Sequence, residues 1–215
     1  MRANLDLLVR SWIAGLLFVS GAFASAQVSS AQTNARQRFL EKLVAAAVER
    51  TTHQVTYTSA YVHLDYPGGD VPVGTGVCSD EIIRSYRAVG IDLQKEVHED
   101  MVKNWSAYPA QAIWGQSGPD TNIDHRRVPN LMVFFKRKGE SLPKTQRPQE
   151  YLPGDLVTWD LGGNVPHIGI VVSGKSADGA RHLIVHNVGQ GPKMEDVLFA
   201  WKITGHFRYV PRSLE

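Results

Sequence analysis

The hydrophobic pattern changes period partway along this chain, and that change constrains the fold more than any other feature. In the first part apolar residues recur at helical spacing: Phe39, Leu40, Leu43, Val44, Ala47 and Val48 share one face from Ala35 onward. A second helical pattern carries Ile82, Ile83, Tyr86 and Val89 and stops at Gly90, a third runs over 93–105, and a fourth over 128–138 holds Leu131, Val133, Phe134 and Phe135. From residue 156 the pattern breaks into short β-rich blocks at 156–159, 168–172 and 183–185, punctuated by Gly, Asn and Asp, with 207–210 as a further strand. Helices first, then strands in hairpin order, predict an α+β fold with N-terminal helices packed on a C-terminal antiparallel sheet. Between these blocks, 55–62 reads as extended, 66–70 as a turn, 108–124 as a loop rich in Trp, Pro, Gly and Asp, and 143–153 as a connector.

At 215 residues, 43% hydrophobic and 20% charged, the chain has the composition of a globular domain, and it shows no internal repeat. A net charge of +2 provides no electrostatic case for nucleic acid. The single cysteine excludes an internal disulfide framework and a cysteine-rich zinc module.

The N-terminus has the three parts of a secretory leader: Arg2 and Arg10, an apolar run over 12–19, and the small residues Ala24-Ser25-Ala26. The run is shorter than the roughly 20 residues that span a bilayer, which favours cleavage after Ala26 over an uncleaved anchor. The expected organisation is a leader over 1–26, a disordered lead-in over 27–34 and one domain over 35–215. The mature protein is then periplasmic or secreted, with no stable membrane insertion. In an oxidising compartment a free thiol is a liability unless it is buried or used.

Cys78 falls where a glycine-containing approach, Gly74-Thr75-Gly76, gives way to a helix. A thiol in the first helical turn meets the positive end of the macrodipole, which predicts a lowered pKa, and unpaired N–H groups that suit an oxyanion hole. The alternative is a small buried hydrophobe. A thiolate nucleophile needs a base held by a third polar group. Of eight histidines, His167 precedes one apolar strand and His186 ends the next, so antiparallel pairing brings both to the same end of a hairpin. Asn187 is the neighbouring alternative for the third place, though strand alternation points it to the other face. A zinc site made of the same Cys and His side chains competes, but no carboxylate or second Cys has metal spacing, so no metal or cofactor is expected.

These residues resemble the NlpC-type cell-wall cysteine peptidases of the papain-like superfamily. The likeness is carried by Gly76-Val77-Cys78-Ser79, Val89-Gly90-Ile91-Asp92-Leu93, Pro153-Gly154-Asp155-Leu156-Val157-Thr158-Trp159, His167-Ile168-Gly169-Ile170-Val171 and Val185-His186. More closely, the chain resembles bacterial domain of unknown function 1287. That likeness is carried by Tyr66-Pro67-Gly68-Gly69-Asp70, by the run from Asn122 through Asp124-His125-Arg126-Arg127 to Leu131, and by Ile203-Thr204-Gly205-His206-Phe207. The resemblance implies Cys78 as nucleophile, His167 as base and His186 as the orienting residue, with peptidoglycan stem peptides as the substrate class. Family endopeptidases carry Asp before the nucleophile and Ser-Gly after it; here Val77 precedes Cys78 and Ser79-Asp80 follows.

Further candidates for substrate contact are Tyr66, Asp70, Ser79, Asp80, Asp124, Arg126 and Arg127. The two arginines have the geometry to grip carboxylates bidentately. The competing reading is a salt-bridged turn in which Asp124 pairs with an arginine and caps the next helix. Three functions follow from the same residues: an amide hydrolase, a non-catalytic envelope-binding module, or a thiol acyl transferase.

Overall fold

The computed structural model describes residues 13–211, with side chains from residue 32 onward. The leader expected over 1–26 lies outside this range in its first twelve residues and in all its side chains. Helix α1 spans Ile13–Arg50 and therefore includes 27–34, expected as a disordered lead-in. That stretch holds neither Pro nor Gly, so nothing stops a helix propagating through it from the amphipathic segment behind. Among the described residues no helix is long and apolar enough to cross a membrane.

The remaining helices are α2 (Cys78–Ala88), α3 (Leu93–Lys103), the short α4 (Ala110–Trp114) and α5 (Val128–Lys138). Two short strands, β1 (Thr56–Tyr57) and β2 (Thr75–Gly76), pair in parallel just before α2. The main sheet contains β3 (Glu140–Ser141), β4 (Leu156–Asp160), β5 (Pro166–Lys175), β6 (His182–Asn187), β7 (Pro192–Glu195) and β8 (Lys202–Arg208), all antiparallel, in the order β3-β8-β4-β5-β6-β7. The expected α+β architecture is present. The meander β4–β7 runs outward, and β8 returns to the inner edge of β4.

Both faces of the sheet are buried, which is why its strands read as nearly continuous apolar runs. On one face Leu156, Ile168, Ile170, Val172 and Val185 join Leu43, Cys78, Ile82, Tyr86 and Phe135 from the helices. On the other, Val157, Trp159, Val171 and Ile184 pack with Tyr151 and Leu198. The alternation of β5 therefore splits its residues between two cores.

Gly169 is the tightest point of the hairpin. It stands opposite His186 on β6 and Val157 on β4. A Cβ there would lie 2.6 Å from Ile184 Cγ2 and 3.0 Å from the Val185 carbonyl oxygen. We expect Gly169→Ala to destabilise the domain by about 1–3 kcal/mol through overpacking, read by denaturant unfolding. A melt indistinguishable from wild type would show that β5 and β6 have room to separate.

Candidate active site

Cys78 is the first residue of α2, and a network of buried polar contacts holds that helix start. Asp80 Oδ2 accepts the Val77 main-chain N–H at 2.7 Å, satisfying a group the helix leaves unpaired. Arg126 clamps the same carboxylate with two bonds, Nε to Oδ1 at 2.8 Å and Nη2 to Oδ2 at 3.0 Å, and donates from Nη1 to the Ala60 carbonyl at 2.9 Å. Ser79 Oγ donates to the Arg126 carbonyl at 2.6 Å. The turn at Asp124–Arg126, the segment around Ala60 and the start of α2 thus form one brace behind the thiol.

His167 comes from the start of β5 and His186 from the end of β6. His167 Nε2 lies 2.9 Å from His186 Nδ1, and His186 Nε2 lies 3.0 Å from Glu195 Oε2 on β7. Trp159 and Trp201 stand beside the His167 ring at 5.9 Å each, holding it in a largely aromatic wall. The expected meeting of the two imidazoles is therefore present, and the register explains it. Gly169 pairs with His186, so His167 sits two residues along, on the same face and at the adjacent position. Asn187 points elsewhere: its Oδ1 accepts from Gly189 N, and it makes no bond to His167.

The thiol itself is 4% exposed. Its neighbours are the main-chain N–H groups of Ile168 and Ser79 and the hydroxyl of Tyr57 on β1. Ile168 directly follows His167, so the thiol meets this strand start from the helix side, while alternation turns the imidazole toward Trp159 and Trp201 on the other face. Among the described residues no hydrogen bond joins Cys78 to His167. Burial pushes the thiol up to about 11 and the Asp80 carboxylate adds to the rise, against the main-chain N–H groups and the Tyr57 hydroxyl, which favour the thiolate. The expectation of a lowered thiol is thus overturned, because desolvation outweighs the helix N-terminus. Burial, and then the adjacent His186, push His167 down to about 3. The resting pair is a neutral thiol and a neutral imidazole. At pH 7 we expect Cys78 to alkylate with iodoacetamide about 100-fold more slowly than a free thiol, the rate climbing toward pH 11. A fast, pH-flat reaction would mean a pre-formed thiolate.

The other sequence candidates divide sharply. Asp80 and Arg126, at 2% and 5% exposure, have their polar atoms engaged with each other and with main chain, which removes them from any grip on an external ligand. Ser79 is buried on the same brace. Asp124 pairs with no arginine: its carboxylate accepts from Gln116 Nε2 at 2.8 Å and Asp120 N at 2.5 Å. Arg127 is half-buried, with its guanidinium 3.9 Å over the Trp114 ring and bonded to Gln116. Asp70 is exposed and paired with Arg84 and Arg87 at 2.9 and 3.1 Å. Tyr66 is exposed, edge-on to His98. Of the seven, Tyr66, Asp70 and Arg127 remain where a ligand can reach them.

Two residues at the centre were not singled out from the sequence. Tyr57 lies in an extended segment with no catalytic spacing. Glu195 lies in β7, a four-residue strand that opens with Pro and lacks alternation, so no strand signal marks it. Only the pairing of β6 with β7 carries Glu195 toward His186.

Fold and site together define an α+β domain with a cysteine at a helix N-terminus and two coupled histidines on adjacent strands. The family described as domain of unknown function DUF1287 matches residues 44–209, and the chain belongs to that family. It is 51% identical over 153 residues to the uncharacterized protein YijF of Escherichia coli (strain K12), covering 71% of this chain and 73% of that protein. Among solved structures, NlpC1 from Trichomonas vaginalis aligns with a TM-score of 0.43 and 15% identity, covering 79% of this chain but only 44% of that one. This chain thus spans less than half the length of that structure.

Proposed function

We propose that this protein is a cysteine amide hydrolase of the bacterial envelope that acts on peptidoglycan stem peptides, exported by the leader at 1–26. The observation that carries the reading is the 2.9 Å bond between His167 Nε2 and His186 Nδ1 beside the strand start that meets Cys78. That bond leaves Nδ1 of His167 as the nitrogen available to a thiol, and His186 as the residue that holds the ring.

From a neutral resting pair, the chemistry runs by general base catalysis. His167 Nδ1 takes the thiol proton as Sγ attacks the amide carbon, forming the C–S bond and a tetrahedral oxyanion. In this reading the main-chain N–H of Cys78, in the first turn of α2, receives the oxyanion. His167 returns the proton to the departing amine as the C–N bond breaks. Water then attacks the thioester, with His167 as base, releasing a carboxylic acid and regenerating the thiol. Tyr57 must yield to an incoming carbonyl, since its hydroxyl lies against Sγ and its ring is 41% exposed on a two-residue strand. Catalytic hydrogen bonds are often long before substrate binds and tighten in the complex, which accommodates the unmade Cys78–His167 contact.

A second reading, an envelope-binding module on the same fold, is favoured by that unmade contact and by the burial of the thiol. The two separate in one experiment: purified sacculi are incubated with wild type, Cys78→Ala and His167→Ala, and released muropeptides are identified by mass. Hydrolysis predicts cleavage by wild type alone. Identical uncut profiles, with wild type and Cys78→Ser binding sacculi equally, would leave the binding module.

A further inference from the structure

We infer that Glu195 is the positioning residue that sets the tautomer of His167, acting through His186. The inference rests on the Cys78–His167 chemistry proposed above and extends it to a residue outside the Cys-His-His set.

The argument is one of donors and acceptors along a chain of three groups. An ionised carboxylate can only accept hydrogen bonds. Glu195 Oε2, 3.0 Å from His186 Nε2, therefore requires that nitrogen to carry the hydrogen. A neutral imidazole has one N–H, so Nδ1 of His186 is then an acceptor. That acceptor lies 2.9 Å from His167 Nε2, which must in turn carry the hydrogen. His167 Nδ1 is left with its lone pair, the form needed to receive a proton from Cys78. Reversing any one member reverses the rest: an Nδ1–H on His186 would force the proton onto Nδ1 of His167 and disable it as a base.

Neutrality of His186 is what makes the chain unidirectional. Burial holds it below its ordinary value, with Lys193 opposing protonation from the facing position on β7 and Glu195 opposing that effect. The charged or titratable groups bearing on His186 are thus His167, Lys193 and Glu195. Glu195 is 40% exposed and lines a cleft of about 170 Å³ with His186 and Lys193, so its own charge is solvated while the imidazoles stay dry. Without a carboxylate at that end, both tautomers of the His186–His167 pair satisfy the 2.9 Å bond equally, and nothing selects the basic one.

The test reads ring nitrogens directly and needs no substrate. Long-range ¹H–¹⁵N spectra of the purified protein at pH 7, with His167 and His186 assigned by single replacement, are expected to show both as Nε2–H tautomers. In Glu195→Ala a large fraction of His167 is expected to convert to Nδ1–H, and alkylation of Cys78 by iodoacetamide to slow by about tenfold. Glu195→Gln, isosteric but able to present either a donor or an acceptor, is expected to fall between. A circular-dichroism melt shows that the variants fold. His167 remaining Nε2–H in Glu195→Ala, or found as Nδ1–H in wild type, would overturn the inference. His167→Ala alkylating as fast as wild type, with the tautomers as expected, would overturn the hydrolase reading and leave the tautomer assignment standing.

Discussion

Acidification from pH 6.5 toward 3 is expected to destabilise this protein by on the order of 4–5 kcal/mol for each of two buried imidazoles. His125 and His167 are 2% and 1% exposed, and burial pushes each down to about 3, with Arg126 and Arg87 adding to the effect at His125 and His186 at His167. In the unfolded chain each imidazole takes up a proton near pH 6.5; in the fold each stays neutral until about pH 3. The sign follows directly. The stabilisation is complete above 6.5 and is lost as pH falls through that window, at about 1.4 kcal/mol per pH unit for each group. Urea unfolding at pH 7, 6, 5 and 4 checks it. His125→Gln, which cannot titrate there, should flatten the profile by its own share. A stability that is flat down to pH 4 would mean that neither ring is held neutral by the fold.

Arg126→Ala is expected to cost about 3–5 kcal/mol, because it leaves the Asp80 carboxylate buried without its partner. The residue joins Asp80 on α2, the Ala60 carbonyl and, through its own carbonyl, Ser79. Its removal therefore loosens the helix start that carries Cys78 as well as the fold. Arg127→Ala is the contrast: that half-buried guanidinium stacks on the exposed Trp114, and its loss should cost about 1 kcal/mol. Replacing Arg126 and Asp80 together with apolar residues of similar size should restore the part of the loss that comes from the unpaired charge, but not the part that comes from leaving the Val77 N–H and the Ala60 carbonyl without these partners. Equal melts for the two single alanine variants would show that the Arg126–Asp80 pair contributes no net stability.

The neighbouring arginines also show where reading the chain alone reached its limit. Asp124-His125-Arg126-Arg127 presents two consecutive cations, and nothing local distinguishes them. In the structure one is a buried brace and the other is half-buried against Trp114, because the turn at Asp124–Arg126 aims successive side chains in different directions. The partner of Arg126 is Asp80, 46 residues away, and the carboxylate beside it in sequence, Asp124, bonds Gln116 and Asp120 instead. The two histidines behaved differently. Each is adjacent to an apolar strand, and two strands joined by a short polar turn bring their ends together, so local pattern was enough to pair them.

By itself the sequence determined the α-then-β order, the helix beginning at Cys78, and the histidine pair, because each rests on periodicity or on residues close along the chain. Tertiary structure alone decided three things. It set the charge of the resting pair, since burial of the thiol outweighs the helix N-terminus and burial of His167 keeps its ring neutral. It assigned Asp80 and Arg126 to the frame instead of the substrate. It brought Tyr57 to the thiol and Glu195 to His186, across β1–β2 and β6–β7 pairings too short to leave a pattern. Desolvation and long-range pairing depend on what surrounds a side chain, and no local stretch of sequence contains that information.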